Sequence, residues 1–270
     1  PLGGADPDEQ LGVWCPPHAR CHEAHAWAKK MQRFGEDADF ARAHLAGLQG
    51  ALRQVDRAVH RILAALAETG HVEDTLVLFN SDHGIEVPGA KWNLHDPGVG
   101  IGFIMRWPAG GVAGGCRCDW LLSNVDFVPT LCDLIDIDPP GNVQGLSFAR
   151  GCTQPAVDLP SPRCVAFSQW VDGLTFSART ERYRLIRHLQ PVDSYGRPCR
   201  SDTLYDLSVD PLELVDVSSK PAYAGPLDRL RELLNTWLLE MDDPSAHGPI
   251  TGDTEAERVS YYRRLYETRH

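Results

Sequence analysis

The chain has 270 residues, a formal net charge of -11 and 43% apolar side chains, enough apolar material for a sizeable core. The negative charge disfavours a nucleic-acid partner, since binding a phosphate backbone needs clustered cations. No run of eighteen apolar residues offers a helical membrane span, and no charged-then-apolar stretch at the amino end resembles a signal peptide.

Residues 1–35 are rich in Pro, Gly, Cys and His and read as irregular. His18, His22 and His25, spaced four and three apart, read as surface histidines, and Cys15 as a loop thiol. From Phe40 the pattern changes: Leu45, Leu48, Leu52, Val55, Val59, Ile62 and Leu66 alternate steps of three and four, one face of a long amphipathic helix ending at Gly70. The apolar run 75–79 then predicts a strand buried on both faces, as in parallel sheets. It stops at Ser81-Asp82-His83-Gly84, so an acid and an imidazole sit just past the strand's carboxyl end, where open α/β sheets bind ligands. Asp82 offers hard oxygens and His83 a neutral nitrogen, both serviceable metal ligands. Gly84 permits a sharp turn or a close approach to a ligand.

A loop carrying Lys91, His95 and Asp96 leads to a second apolar strand near 101–106, whose end places Arg106 and Trp107 at the border of a pocket or in the core. Residues 108–115 form a glycine-rich turn. Asp126 is expected to cap a helix with Pro129 in its first turn, running towards Ile135. Beyond about Gly151, the segments 165–170, 174–179 and 183–188 are short, β-rich and separated by turn residues, which predicts a small antiparallel sheet. Asp210-Pro211 turns the chain into a last helix with Leu227, Leu230, Leu234, Trp237 and Met241 on one face, followed from Pro244 by a polar tail with a Tyr261-Tyr262 pair. The eight cysteines form no Cys-x-x-Cys pair, which argues against structural zinc and makes free thiols in a reducing cytoplasm the simpler reading. Lysines are few and arginines many, a bias that fits a GC-rich, bacterial genome.

Taken in order, several blocks are similar to the sulfatase family of the alkaline phosphatase superfamily: Gln54-Val-Asp-Arg57 in the long helix, Asp74-Thr-Leu-Val-Leu-Phe-Asn-Ser-Asp-His-Gly84, Lys91, Asp96-Pro-Gly98 and Ile104-Met-Arg-Trp-Pro108. They continue through Ser123-Asn-Val-Asp-Phe-Val-Pro-Thr-Leu131, Gln144-Gly-Leu-Ser147, Arg179-Thr-Glu-Arg-Tyr-Arg-Leu-Ile186 and Leu204-Tyr-Asp-Leu-Ser-Val-Asp-Pro-Leu-Glu213. The resemblance implies an α/β fold: part of an alkaline-phosphatase-like sandwich with a mainly parallel sheet, plus a small C-terminal antiparallel sheet packed by a helix. Residues 1–150 would be the C-terminal part of the catalytic domain and 151–270 an α+β subdomain. The family's Cys/Ser-x-Pro-x-Arg signature, whose first residue becomes a formylglycine nucleophile, is absent, as is its Asp-Asp pair after the first strand. Cys15-Pro-Pro-His-Ala-Arg20 has a different spacing. The chain is therefore expected to be the C-terminal portion of a sulfatase, starting mid-domain, inactive alone and completed by a missing N-terminal part that carries the nucleophile.

The same resemblance implies roles. Asp82 and His83 take the places of metal ligands, for Ca2+ with Mn2+ or Zn2+ left open because nitrogen is less natural for calcium. Lys91 would contact the sulfate and hold the negative charge that develops on it. His95 would act as an acid near neutral pH or line the pocket, and Asp96 would fix its Asp-Pro-Gly turn. The implied substrate is a sulfated sugar or small molecule, and the block 88–98 resembles the branch acting on N-sulfated sugars. Two other readings stay open: a phosphodiesterase or phosphonate hydrolase on the same scaffold, and a non-catalytic remnant serving as a binding module.

Overall fold

The structure is a computed structural model that describes residues 33–34, 36–87, 90–91, 93–112, 114–154, 159–170, 175–189 and 200–241. Cys15, His18, His22, His25 and the Tyr261-Tyr262 tail lie outside the described residues. The fold is mixed α/β, with helix α1 (Ala38–Glu68), strand β1 (Val77–Asn80), a short helix α2 (Asp96–Val99), β2 (Phe103–Arg106), α3 (Phe127–Leu134), α4 (Ala149–Thr153), strands β3 (Ala166–Gln169), β4 (Thr175–Arg179), β5 (Tyr183–His188) and β6 (Asp202–Asp206), and a terminal helix α5 (Ala224–Glu240). Among the described residues no helix is long and apolar enough to cross a membrane.

Helix α1 begins where its chemistry allows. The Asp37 carboxylate accepts the Phe40 amide at 2.9 Å and caps the first turn. At the other end Gly70 adopts φ +78, with His71 N donating to Leu66 O at 2.8 Å and Gly70 N to Ala67 O at 3.3 Å, a Schellman close. Its apolar stripe is less covered than the spacing suggests: only Ala41 of α1 is buried, and Leu52, Val55 and Ile62 lie open.

Strand β1 differs from expectation in two respects. It pairs antiparallel with β2, Val77 opposite Arg106 and Asn80 opposite Phe103, and among the described residues these two form the whole sheet. Its side chains are half-buried to exposed, not buried on both faces. An apolar run specifies a strand but not the direction of its neighbour, and a two-stranded sheet cannot cover both faces. Helix α3 also starts differently. Ser123 is the cap of a 3-10 turn over Asn124–Asp126, and the Asp126 carboxylate reaches back to the Ser123 amide at 2.8 Å. Asp126 stands at the N-cap position of α3, as expected, but its side chain makes no cap bond to that helix. Fully buried, it also accepts the Leu146 amide at 2.8 Å and a two-pronged contact from Arg163.

The four strands β3-β4-β5-β6 pair in sequence, all antiparallel. Helix α5 covers one face with Leu227, Leu230, Leu234 and Leu238, which pack on Phe176, Ala178, Leu185 and Leu204. Leu238 thus takes the place expected of Met241, which falls at the C-cap. The Phe167 and Trp237 rings stack at 4.9 Å. The described cysteines, Cys116, Cys118, Cys132, Cys152 and Cys164, are free thiols. Burial, with the nearby Cys118 thiol, pushes the Cys152 thiol up to about 11, which makes it a poor nucleophile.

Replacing Leu234 by Ala should cost about 2–5 kcal/mol in a denaturant titration, since the residue is fully buried at the centre of the α5 face. A pH effect is expected from Asp206, whose carboxyl is drawn down to about 2 chiefly by its hydrogen bonds from Arg182. A depressed carboxyl stabilises the fold above its unfolded value, about 3.9, and loses that contribution as pH falls through its folded value. The difference in melting temperature between the native chain and Asp206→Asn should therefore be present at pH 5 and close between pH 4 and 2.

Candidate active site

Past β1 the chain is tied to the start of β2 by Ser81, whose amide donates to Gly102 O at 3.1 Å and whose Oγ accepts the Gly102 amide at 3.0 Å. That anchors the turn carrying Asp82 and His83. Asp82 Oδ1 accepts the His83 amide at 2.8 Å. His83 Nδ1 lies 2.9 Å from Gly84 O. A carbonyl can only accept, so the ring proton sits on Nδ1 and the lone pair on Nε2. Nε2 in turn lies 3.5 Å from Asp82 Oδ2. Both atoms are exposed and close enough to share one cation.

Two glycines press this turn against the next loop. Gly84 N donates to Gly98 O at 2.9 Å, and a Cβ on Gly84 would meet Pro97 O at 1.8 Å. A Cβ on Gly98 would meet Ala90 O and Asn93 O at 2.4 Å. Gly84 is thus required for the approach of two backbones, not for an approach to a ligand. The Lys91 amide adds a bond to Ile85 O at 3.0 Å, so the segments of Asp82, His83 and Lys91 form one unit.

A cleft of about 1780 Å³ opens over this unit, with Asp82, His83 and Lys91 all on its wall. Basic side chains outnumber acidic ones in its lining: Lys91, Arg117, Arg163, Arg179, Arg182 and Arg184 against Asp82, Asp96, Asp119 and Glu181. Three of these arginines are neutralised from behind the wall, Arg163 by Asp126, Arg182 by Asp206 and Arg184 by Glu213. Arg106 and Trp107 are not part of the lining. His95 is buried, 7% exposed, beneath the wall formed by its neighbours Leu94 and Asp96. Asn93 Oδ1 accepts the His95 amide at 2.8 Å and lies 3.1 Å from His95 Nδ1. The amide bond fixes which end of Asn93 is oxygen, so Nδ1 carries a proton and Nε2 is the atom that can exchange one. The ring meets Tyr205 edge-on at 5.2 Å.

Asp96 does far more than shape its turn. Arg179 grips its carboxylate with Nε at 2.9 Å and Nη2 at 3.1 Å, and Arg184 adds a third contact. The Asp96 amide donates to Glu213 Oε2 at 2.6 Å. Arg184 and Glu213 are both buried, Arg184 Nε facing Glu213 Oε1, while Arg184 Nη1 donates to Leu94 O at 2.8 Å and Ser177 Oγ at 3.1 Å. Burial raises the Glu213 carboxyl against the pull of Arg184 and Arg179. Burial likewise lowers Arg184, whose guanidinium nonetheless stays charged.

For a divalent ion, Asp82 and His83 fit as two adjacent donors. Among the described residues no group of three or more His, Cys, Asp or Glu side chains is gathered to hold a metal. Calcium takes six to eight oxygens, so the pair fits as part of a coordination sphere and not the whole of one.

The family model for N-sulphoglucosamine sulphohydrolase, C-terminal, matches residues 90–239, and the Sulfatase model matches 16–137. The chain belongs to the sulfatase family. Among curated relatives it is 26% identical over 252 residues to the human N-sulphoglucosamine sulphohydrolase, covering 77% of this chain and 50% of that protein. It is 24% identical over 240 residues to the ulvan-active sulfatase of Formosa agariphila, covering 77% and 40%. The chain thus spans about half the length of these relatives. Of solved structures, a 2-O GAG sulfatase superposes with a TM-score of 0.70 at 22% identity, over 96% of this chain and 57% of that one. The phosphonate monoester hydrolase of Agrobacterium radiobacter superposes at 0.58 with 24% identity, over 77% and 44%. Both likenesses establish the alkaline-phosphatase-like fold.

In this sulfatase chain Asp82, His83 and Lys91, singled out in the sequence, line one cleft, whereas His95, expected to be an acid or to line the pocket, is buried outside the lining. Sequence reasoning missed Asn93, Arg179, Arg184 and Glu213. A signal existed: the register sets Arg179 directly opposite Arg184 across β4 and β5, and like charges so placed repel unless an anion lies between them.

Gly84→Ala should destabilise the chain by about 1–3 kcal/mol, the usual cost of forcing extra volume into a packed contact. Denaturant titration measures this, and faster amide exchange at Gly84 and Lys91 should accompany it if the two loops part.

Proposed function

We propose that this chain forms part of the active site of a sulfatase that hydrolyses a sulfate ester or N-sulfate on a sugar. The observation that carries the reading is the convergence of Asp82, His83 and Lys91 on the wall of one cleft. Relatives named for N-sulphoglucosamine, ulvan and N-acetylglucosamine-6-O-sulfate chemistry support a sulfated sugar as the substrate class.

In this reading Lys91 holds the sulfate oxygens by charge and stabilises the negative charge that grows on them as the S–O or S–N bond breaks. His95, its Nδ1 proton engaged by Asn93 and its ring buried just outside the lining, backs the cleft wall in this reading; acid catalysis from Nε2 needs the doubly protonated ring and an opening of that wall to the departing atom. Asp82, through Oδ2, and His83, through Nε2, are the residues that would hold a divalent ion, calcium by family habit, with manganese or zinc compatible with the imidazole. When bound, such an ion supplies Lewis-acid charge stabilisation. The formylglycine nucleophile is expected outside these 270 residues, since no Cys/Ser-x-Pro-x-Arg occurs in them. The shared fold of the phosphonate monoester hydrolase favours a second reading, a phosphonate or phosphodiester substrate in the same cleft.

Binding, not turnover, tests both in this chain. Calorimetric titration with Ca2+, Mn2+ and Zn2+ should show weak binding, Kd on the order of 10⁻⁴–10⁻³ M for so few protein donors, lost in Asp82→Ala and His83→Ala. A sulfated glucosamine should bind the metal-loaded chain at least about tenfold more weakly in Lys91→Ala, as expected for a lost charged contact. A folded native chain that binds none of the three ions would overturn the metal assignment. Preference for a phosphonate monoester over the sulfated sugar would favour the second reading.

A further inference from the structure

The peptide groups on either side of His95 are both taken up from the C-terminal part of the chain, by one buried pair. The Leu94 carbonyl before it accepts from Arg184 Nη1 at 2.8 Å, and the Asp96 amide after it donates to Glu213 Oε2 at 2.6 Å. The Asp96 side chain is held by the same Arg184 together with Arg179. Leu94 itself packs with Ile186 of β5 and Tyr205 of β6, and the His95 ring abuts Tyr205. None of Arg179, Arg184 or Glu213 belongs to the loop they grip; they come from β4, β5 and the turn after β6.

We propose that Glu213 and Arg184 are positioning residues for the His95 imidazole, fixing its place under the cleft through the two peptides that flank it. Arg179 is the outer member of the same clamp. Three features make the arrangement specific. Glu213 uses its two oxygens for two different tasks, one facing Arg184 and one accepting the Asp96 amide. Arg184 divides its guanidinium among Glu213, Leu94 O, Ser177 Oγ and Asp96. Both side chains are almost wholly shielded from water, so neither charge can be satisfied by solvent if its partner is removed. Orientation is the quantity at stake, because a proton donor a fraction of an ångström out of place loses much of its effect. The catalytic weight of this clamp rests on the sulfatase reading of His95; its geometry does not.

The test is nuclear magnetic resonance on the full 270-residue chain labelled with 15N in its histidine rings and amides, with His95→Gln identifying the His95 ring signals. In Glu213→Gln the His95 ring signals should move or broaden, and the Asp96 amide should exchange with solvent about tenfold faster or more, as for a lost hydrogen bond to a charged group. The amides of β3–β6 report whether the sheet survives. Should Glu213→Gln fail to fold, Arg179→Gln decides: its side chain is partly exposed, and the same ring signals should shift by a smaller amount. Unmoved His95 ring signals in a folded variant whose Asp96 amide has lost protection would overturn the proposal, leaving Glu213 and Arg184 a structural role only. Metal and sulfated-sugar titrations of the native chain report separately on the sulfatase reading, so the two can fail independently.

Discussion

Across the β4–β5 hairpin two guanidinium groups stand directly opposed, and the rest of the site depends on the carboxylates that hold them there. Arg179 and Arg184 are cross-strand partners, a pairing that repels unless anions intervene. Asp96 enters from the cleft side and is shared by both; Glu213 closes the arrangement from the turn after β6. Because Arg184 and Glu213 are buried, losing either would strand an uncompensated charge, a far greater penalty than the net worth of the intact pair. The network therefore specifies one placement of the Leu94–Asp96 backbone more than it adds raw stability.

From that fixed point the geometry passes along the loop by backbone contact. Helix α2 starts at Asp96, the Gly98 and Val99 amides return to the His95 carbonyl, and Gly98 O takes the Gly84 amide. Only glycines at 84 and 98 allow so close an approach. Asp82, His83 and Lys91 are thus located relative to His95 through main chain, while their side chains are left on the cleft wall. The lining belongs to the same economy of charge: its guanidinia are engaged by carboxylates, as Arg163 is by Asp126 and Arg182 by Asp206.

What the sequence revealed followed the locality of each signal. The end of α1 was legible because a regular apolar spacing runs up to a left-handed glycine, and the leucines of α5 announced a helix laid on a sheet. Strands β3–β5 were found within a residue or so. Strand β6 went unread, because Asp202 and Asp206 occupy buried positions that pattern reading reserves for apolar side chains; Arg187 and Arg231 neutralise the one and Arg182 the other. The antiparallel partner of β1 was equally hidden, since an apolar run carries no record of its neighbour's direction. Asp82, His83 and Lys91 were visible as chemistry at a strand end. The Arg-Glu clamp was not, because its members lie up to 117 positions from the loop they grip and meet it only through the sheet register.

The opposed arginines also bear on how the molecule comes together. A β4–β5 hairpin formed alone would carry two facing positive charges, one in a position that the finished fold seals from water. One carboxylate that relieves them, Asp96, lies more than eighty positions upstream in the loop of the cleft; the other, Glu213, follows β6. The small sheet therefore cannot reach its lowest energy before that loop docks, and the loop has no fixed seat until the sheet is there. Asp96 thereby ties the cleft loop to the small sheet.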